Sequence, residues 1–464
     1  AAPRGDFWNS SFWQFWRAVG QFSADITDDA LYSSTMLRFL VAGQTSPTGL
    51  RDFFLKRSRD SDGKDTYTWN GPLESNCITY SGHLDVSSKL AALGAELGTN
   101  NQDGKVYRNN ALGFQIFPHA LMWPELGSGA TIGLGQNQEN HAFMRPWVNK
   151  VIGAKGRWST SDVRKAAELF WEKRTHCKVG TDLDVWVTRV LHNIHLGMDL
   201  SEEEGAKFME MQFKILIGTS IPQIAFAALG IDAALEEKAK YLERYKKALL
   251  AMYPDELQKL SPEKLTLLAS GTMDSLIFAG GASVPSVLGW CLGLLWSKWG
   301  QENLPEGFAL RESNLKQYVL ETIRRFPPVS GFGFVQRSYQ SGQPDKQVFC
   351  NLTMAQRDPR VWGSDSDSMR LRPVEEYERL SVGWAEPAVV NGDEGAANSH
   401  KCPAKDLSIV MVCEFLAAYL RTTIGAEAAA ADQALDKDKW TCDTAPEDIS
   451  ISEYGSSAFQ LTRK

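Results

Sequence analysis

The stretch 261–296, SPEKLTLLASGTMDSLIFAGGASVPSVLGWCLGLLW, constrains the chain more than any other. Ser-Pro-Glu is a helix-start signal, with Ser261 at the cap and Pro262 where its missing N–H costs nothing. The rest is apolar on nearly every side, and a helix with no polar face has to be buried. Other helices must therefore enclose it. Gly280 and Gly281 interrupt the run, and Pro285 removes a backbone hydrogen bond four residues later, which predicts a kink or widening. That break reads two ways, as room for a flat ligand or an oxygen atom, or as close helix packing.

A second constraint is residues 398–406, NSHKCPAKD, which run into the apolar-periodic LSIVMVCEFLAAYL. Pro403 fits the first helical position and puts Cys402 at the mouth of the helix, where free backbone N–H groups favour a thiolate. Cys402 is therefore a candidate axial ligand to haem iron. The small residues GAANS before it suit a backbone lying flat on a porphyrin, and His400 is placed to reach a propionate. Taken alone, a Cys before a helix reads first as a buried, inert cysteine, and it is the other parts of the chain that turn Cys402 toward a ligand.

Composition sets the class. At 464 residues with no linker-like segment, the chain reads as one large, mainly helical domain. Its 43% hydrophobic content and 15 Trp supply a core able to enclose a cofactor. A formal charge of −7 argues against nucleic acid. Seven scattered cysteines without a CxxC pair signal neither a disulfide framework nor zinc, and fit a reducing compartment. The start shows no span or signal-peptide pattern, so the expectation is a soluble intracellular protein without a transmembrane anchor. The chain lacks an initiator Met, which leaves a removed targeting segment open.

Taken in order, residues 6–56 mix Trp- and Phe-rich helical patterns with a loop at GQTSPTG, then TYTWNGP and SNCITYSG read as short strands and HLDVSSKLAALGAEL as a helix. The Gly- and aromatic-rich NNALGFQIFPHALMWPELGSGATIGLG reads as a loop beside a pocket. QENHAFMRPWVNKVIG puts His141 and Arg145 on one helical face, as a carboxylate clamp or simply as a solvated face. Residues 159–260 read as almost wholly helical. Within them His192 and His195 are neighbours without a third ligand, and read as structural. QYVLETIRRFPPV is a helix closed by Pro-Pro, with Glu321 and Arg324 paired on one face. FGFVQRSYQ and KQVFCNLTMAQ read as strands, RDPRVWGSDSDSMRLRP as irregular, and ISISEYGSSAFQLTRK as a closing hairpin.

Glu321-x-x-Arg324 before Pro-Pro, RDPRVWG followed by Arg372, and Cys402 opening a helix resemble, in that order, the signals of the cytochrome P450 superfamily. Within it NSHKCPAKD, the insertion-like VGWAEPAVVNGDEGAANSH, ETIRRFPPV and SSAFQLTRK are similar to the branch of allene oxide synthases, hydroperoxide lyases and epoxyalcohol synthases. The resemblance implies a mainly α fold with small β-sheets: a β-rich region from N- and C-terminal strands, and a large helical region over 130–325. Haem b would lie buried between the long central helix and the cysteine loop. It implies Cys402 as axial thiolate, His141, Arg145, Arg337 and His400 as propionate partners, and Glu321, Arg324 and Arg372 as a triad supporting the cysteine loop. Phe278, Ala279, Gly280, Gly281 and Ser283 would line the distal side.

Two departures refine the functional expectation. Oxygen-activating members carry an acid–alcohol pair after Ala-Gly, whereas FAGGAS puts Ala282 at the acid position and Ser283 at the alcohol. A hydroperoxide brings its own O–O bond and needs neither that relay nor a reductase. The resemblance thus implies conversion of polyunsaturated fatty acid hydroperoxides to epoxy alcohols, or to hemiacetals that yield aldehydes, in oxylipin biosynthesis. Ile277 stands where many of the branch carry Asn, which counts against allene oxide as the product. The alternatives are a reductase-dependent monooxygenase or an allene oxide synthase, in the cytoplasm or a plastid-type organelle, with peripheral membrane contact left open.

Overall fold

The computed structural model describes residues 46–60, 66–69, 77–98, 107–108, 138–153, 158–218, 227–336, 346–389, 391–393, 396 and 399–464. The aromatic N-terminal stretch to residue 45 and the Gly-rich loop at 109–135 lie outside them.

The apolar stretch that has to be buried is two helices joined by a wide turn. Helix α8 (Pro262–Asp274) leads through a π-helical turn, Ser275–Gly280, into α9 (Gly281–Trp296). The predicted widening thus falls on the residues just before Gly281. Ser261 caps α8 by accepting from the Lys264 amide. Val287 to Leu295 are buried without exception, so no face of that part of α9 meets water. Helices α5 (Thr181–Leu196), α10 (Leu315–Arg325) and α12 (Lys405–Ile424) pack around it. Helix α4 (Thr160–Glu172) packs on α12, where Trp171 lies with Phe415, Tyr419 and Trp440 in an aromatic cluster at centroid distances of 4.9–5.4 Å. Helices α6 (Glu202–Gly218) and α7 (Ile231–Met252) pack on each other and on α5. Helix α12 is long and apolar enough to cross a membrane by length and composition, yet most of it is packed inside the protein.

Strands draw on both ends of the chain, as expected. The larger sheet has the order β1-β2-β6-β5-β3, with β1 Thr66–Trp69, β2 Cys77–Tyr80, β3 Tyr107–Arg108, β5 Gly331–Gln336 and β6 Lys346–Asn351. Only β2 and β6 run parallel, with Ile78 opposite Val348. Helix α2 (His83–Gly98) covers it, burying Val86 and Leu90 against Val348 and Cys350. One strand interrupts the almost wholly helical stretch 159–260: β4, His176–Val179, pairs with C-terminal β10, Phe459–Arg463, whose other edge takes β7, Trp440–Cys442. Cys177 and Val179 are buried while His176 and Lys178 are exposed, a two-residue period too short to stand out between helices. The predicted closing hairpin is divided, because 451–456 form their own pair, β8 and β9, before β10.

Candidate functional site

The loop before α12 is stapled to itself. The Cys402 amide donates to the Trp384 carbonyl at 2.8 Å, and the His400 and Lys401 amides both donate to Ala388 at 2.7 and 3.1 Å. Glu386 accepts from the Trp384 amide and from Lys405 Nζ, at 3.0 and 2.9 Å. Ala385 sits at φ 55°, a left-handed conformation that costs an alanine ~1 kcal/mol. The ring of hydrogen bonds on either side holds it there. Helix α12 opens at Lys405, not Pro403, because Pro403 and Ala404 form a turn first. That turn aims the Ala404 amide at the Cys402 sulfur. Burial pushes the thiol above its usual range, opposed by this amide and by the charges of Arg145 and Lys401, while Glu386 adds to the rise.

Arg145 lies on α3 (Gln138–Ile152), 2% exposed, and its charge acts on Cys402 from another element. His400 is buried two residues before the sulfur. The structure therefore brings Cys402, Arg145 and His400 into one region. His141 is on α3, one turn before Arg145, but its side chain lies outside the described residues, as do the side chain of Phe278 and the whole of Arg337.

Behind the loop sits a buried charge cluster. Glu321, fully buried on α10, accepts from Arg324 Nε and Nη2 at 2.9 and 2.8 Å, and from Arg372 Nη1 at 2.9 and 3.1 Å. It also accepts from the Arg370 amide at 2.9 Å and the Tyr377 hydroxyl at 2.8 Å. Arg324 spends its remaining donors on the Gln356, Ser366 and Ser368 carbonyls, which ties the helix to the irregular segment 356–368. Burial alone would lower the Arg372 pKa, but the charge and hydrogen bonds of Glu321 hold it above its ordinary value. The same burial, with Glu321 beside it, drives the Tyr377 phenol strongly upward. Tyr377 thus serves as a neutral fourth member that the sequence did not point to. Trp362 flanks both guanidiniums, at 5.3 and 5.8 Å from its ring centroid.

At the turn into α9, a Cβ on Gly280 would lie 2.7 Å from Leu191 Cδ1, and one on Gly281 2.1 Å from the Leu276 carbonyl oxygen and 2.7 Å from the Gln212 amide atoms. Of the two readings of the glycine pair, these contacts are those of close helix packing, against α5 and α6. Ala282 and Ser283 follow, both half-buried. His192 and His195 behave as core histidines: His192 bonds the Thr188 carbonyl at 2.7 Å and the Tyr245 hydroxyl at 2.6 Å. Among the described residues, no cluster of three metal-ligating side chains occurs.

No protein-family model matches the chain, and no curated protein matches it. Solved structures do. A myxobacterial cytochrome P450 in complex with myristic acid is 15% identical, with a TM-score of 0.62 over 90% of this chain and 98% of that one. P450BioI in complex with an acyl carrier protein ligated to hexadec-9Z-enoic acid is 14% identical, with a TM-score of 0.60 over 89% and 98%. CalO2 is 16% identical, with a TM-score of 0.60 over 89% and 96%. The chain has the cytochrome P450 fold.

Proposed function

We propose that the chain is a haem-thiolate enzyme acting on long acyl chains, and that its substrate is a polyunsaturated fatty acid hydroperoxide. The observation that carries the first part is the amide-directed sulfur of Cys402 in a loop held at Trp384, Glu386 and Ala388, with cations beside it. Haem b fits this donor set: one sulfur to ligate iron, and the buried cationic Arg145 with His400 to meet propionate carboxylates. When bound, it would supply cleavage of the O–O bond, favoured by electron donation from the thiolate.

The residues of this chain do the rest. Cys402 would become the anionic ligand when iron binds, with the Ala404 amide facing its sulfur, and the Glu321 cluster fixes the segment behind it. Ala282 can neither bind nor pass a proton, so of the acid–alcohol pair the chain keeps only the Ser283 hydroxyl. This favours a substrate that arrives already peroxidised over one needing protons delivered to dioxygen. The expected products are epoxy alcohols, or aldehydes from a hemiacetal, with Ile277 disfavouring allene oxide.

A second reading is reductase-dependent fatty acid hydroxylation. Two of the structures above favour it, since one holds myristic acid and another a hexadecenoyl group on a carrier protein. The two separate in one experiment. Haem-loaded protein is incubated with the 13-hydroperoxide of octadecadienoic acid without reductant, and in parallel with myristic acid plus NADPH, ferredoxin and ferredoxin reductase. Isomerisation in the first tube supports the hydroperoxide reading; hydroxylation only in the second replaces it. A Cys402→Ser protein should be inactive in both.

A further inference from the structure

Helix α6 buries Phe208, Met211 and Ile215 along one stripe, and Gln212 sits within that stripe, 5% exposed. An amide among apolar neighbours needs partners. Yet Gln212 Oε1 has no hydrogen-bond partner among the described residues. The amide lies flat on Gly281, where a Cβ would come within 2.7 Å of both its oxygen and its nitrogen. Glycine at 281 therefore lets the amide touch the helix where Pro285 interrupts its backbone hydrogen bonding. Pro285 has no N–H to return to the Gly281 carbonyl. Gly280, Ala282, Ser283 and Ser286 are each half-buried although α9 crosses the centre of the protein, so this turn is less tightly covered than Val287 to Leu295 beyond it.

We infer that Gln212 is a substrate-binding residue whose side-chain carbonyl accepts a hydrogen bond from an O–H carried on the acyl chain, hydroperoxy or hydroxy. The inference rests on the proposed acyl substrate and adds the residue that selects an oxygenated chain. The polar contact then comes from α6, where Gln212 lies against the turn into the long helix. An acceptor buried without a partner destabilises the resting fold and is retained where a ligand meets it.

The test is a binding measurement on the haem-loaded protein, read by quenching of tryptophan fluorescence. The probes are 13-hydroxyoctadecadienoic acid, which lacks the reactive O–O bond, and octadecadienoic acid. Wild type is expected to bind the alcohol about tenfold more tightly, the worth of one neutral hydrogen bond. Gln212→Met should abolish that preference and melt at a higher temperature than wild type, because it removes the unmet acceptor while filling similar volume. A wild type that binds both acids equally, or a preference that survives in Gln212→Met, overturns the inference and leaves the acyl-chain reading standing. A variant that melts lower, or fails to fold, shows a structural amide and also overturns it. A wild type that binds neither acid sinks both.

Discussion

Glu321→Gln removes one charge and keeps the shape of the side chain. In the native protein the carboxylate faces two guanidiniums, both at least 97% buried, together with a phenol and a backbone amide. The two arginines are left in different positions. Arg372 retains Asp365 at 3.1 Å and Glu376 at 3.4 Å, both partly open to water. Arg324 has carbonyls alone, so its charge is the one stranded in the interior. Breaking one buried pair costs ~3–5 kcal/mol, and the loss should sit near that figure and not at twice it. With ~2 cal/mol/K of unfolding entropy per residue, a 464-residue chain that melts as a unit shifts by ~1 °C per kcal/mol. Differential scanning calorimetry should therefore show Glu321→Gln melting ~3–5 °C below wild type. Arg370→Gln is the control: its side chain pairs with Asp365 at 66% exposure, and only its amide touches Glu321, so it should stay within ~0.5 °C. A Glu321→Gln protein melting within ~1 °C of wild type would refute the view that this carboxylate neutralises the cluster.

Two further outcomes are expected. Gly281→Ala should destabilise by ~2 kcal/mol or more, since its Cβ would meet the Leu276 carbonyl oxygen at 2.1 Å and backbone has to move. Gly280→Ala meets only the end of Leu191 and should lie within ~1 kcal/mol of wild type, checked by the same calorimetry. The pH dependence of stability should carry the buried histidines. Burial lowers His192 from 6.5 to about 4 and His195 to about 3, so the unfolded chain takes up protons first as pH falls. Their contribution is complete above pH 6.5 and is lost on acidification toward pH 4, amounting to ~3 kcal/mol for His192 alone. Urea titrations from pH 7 to 4 should show this slope, and His192→Phe should flatten it; an unchanged slope would refute the assignment.

What the sequence disclosed depended on how far apart the partners lie. Glu321 and Arg324 are one helical turn apart, and a three-residue spacing predicts their pairing from geometry alone. Arg372 lies 51 residues from Glu321, and only the family resemblance suggested it. Tyr377 lies 56 residues away on the short helix α11 (Val374–Leu380), carries no motif, and joins the cluster only because that helix packs on α10. Strand β4 failed for a related reason: its partner is β10, more than 280 residues later, and four residues of alternation are too few to announce a strand. Cys402 was found through the apolar helix behind it, but the groups that hold its loop, Trp384, Ala388 and Glu386, lie in a segment without periodicity.

The glycine pair shows how one local signal supports two different conclusions. Gly280-Gly281 before Pro285 predicted a break in the central helix, and a π turn stands there. The pattern could not say what presses against the break, because Leu191 and Gln212 come from other helices. Gln212 in particular looks in sequence like any polar residue of an amphipathic helix, since only the fold turns it inward between Met211 and Ile215. Propensity and periodicity ask a residue there to be apolar. A sequence that departs from its own pattern at one buried point, opposite the one glycine that makes room for it, trades stability for a contact that a ligand completes.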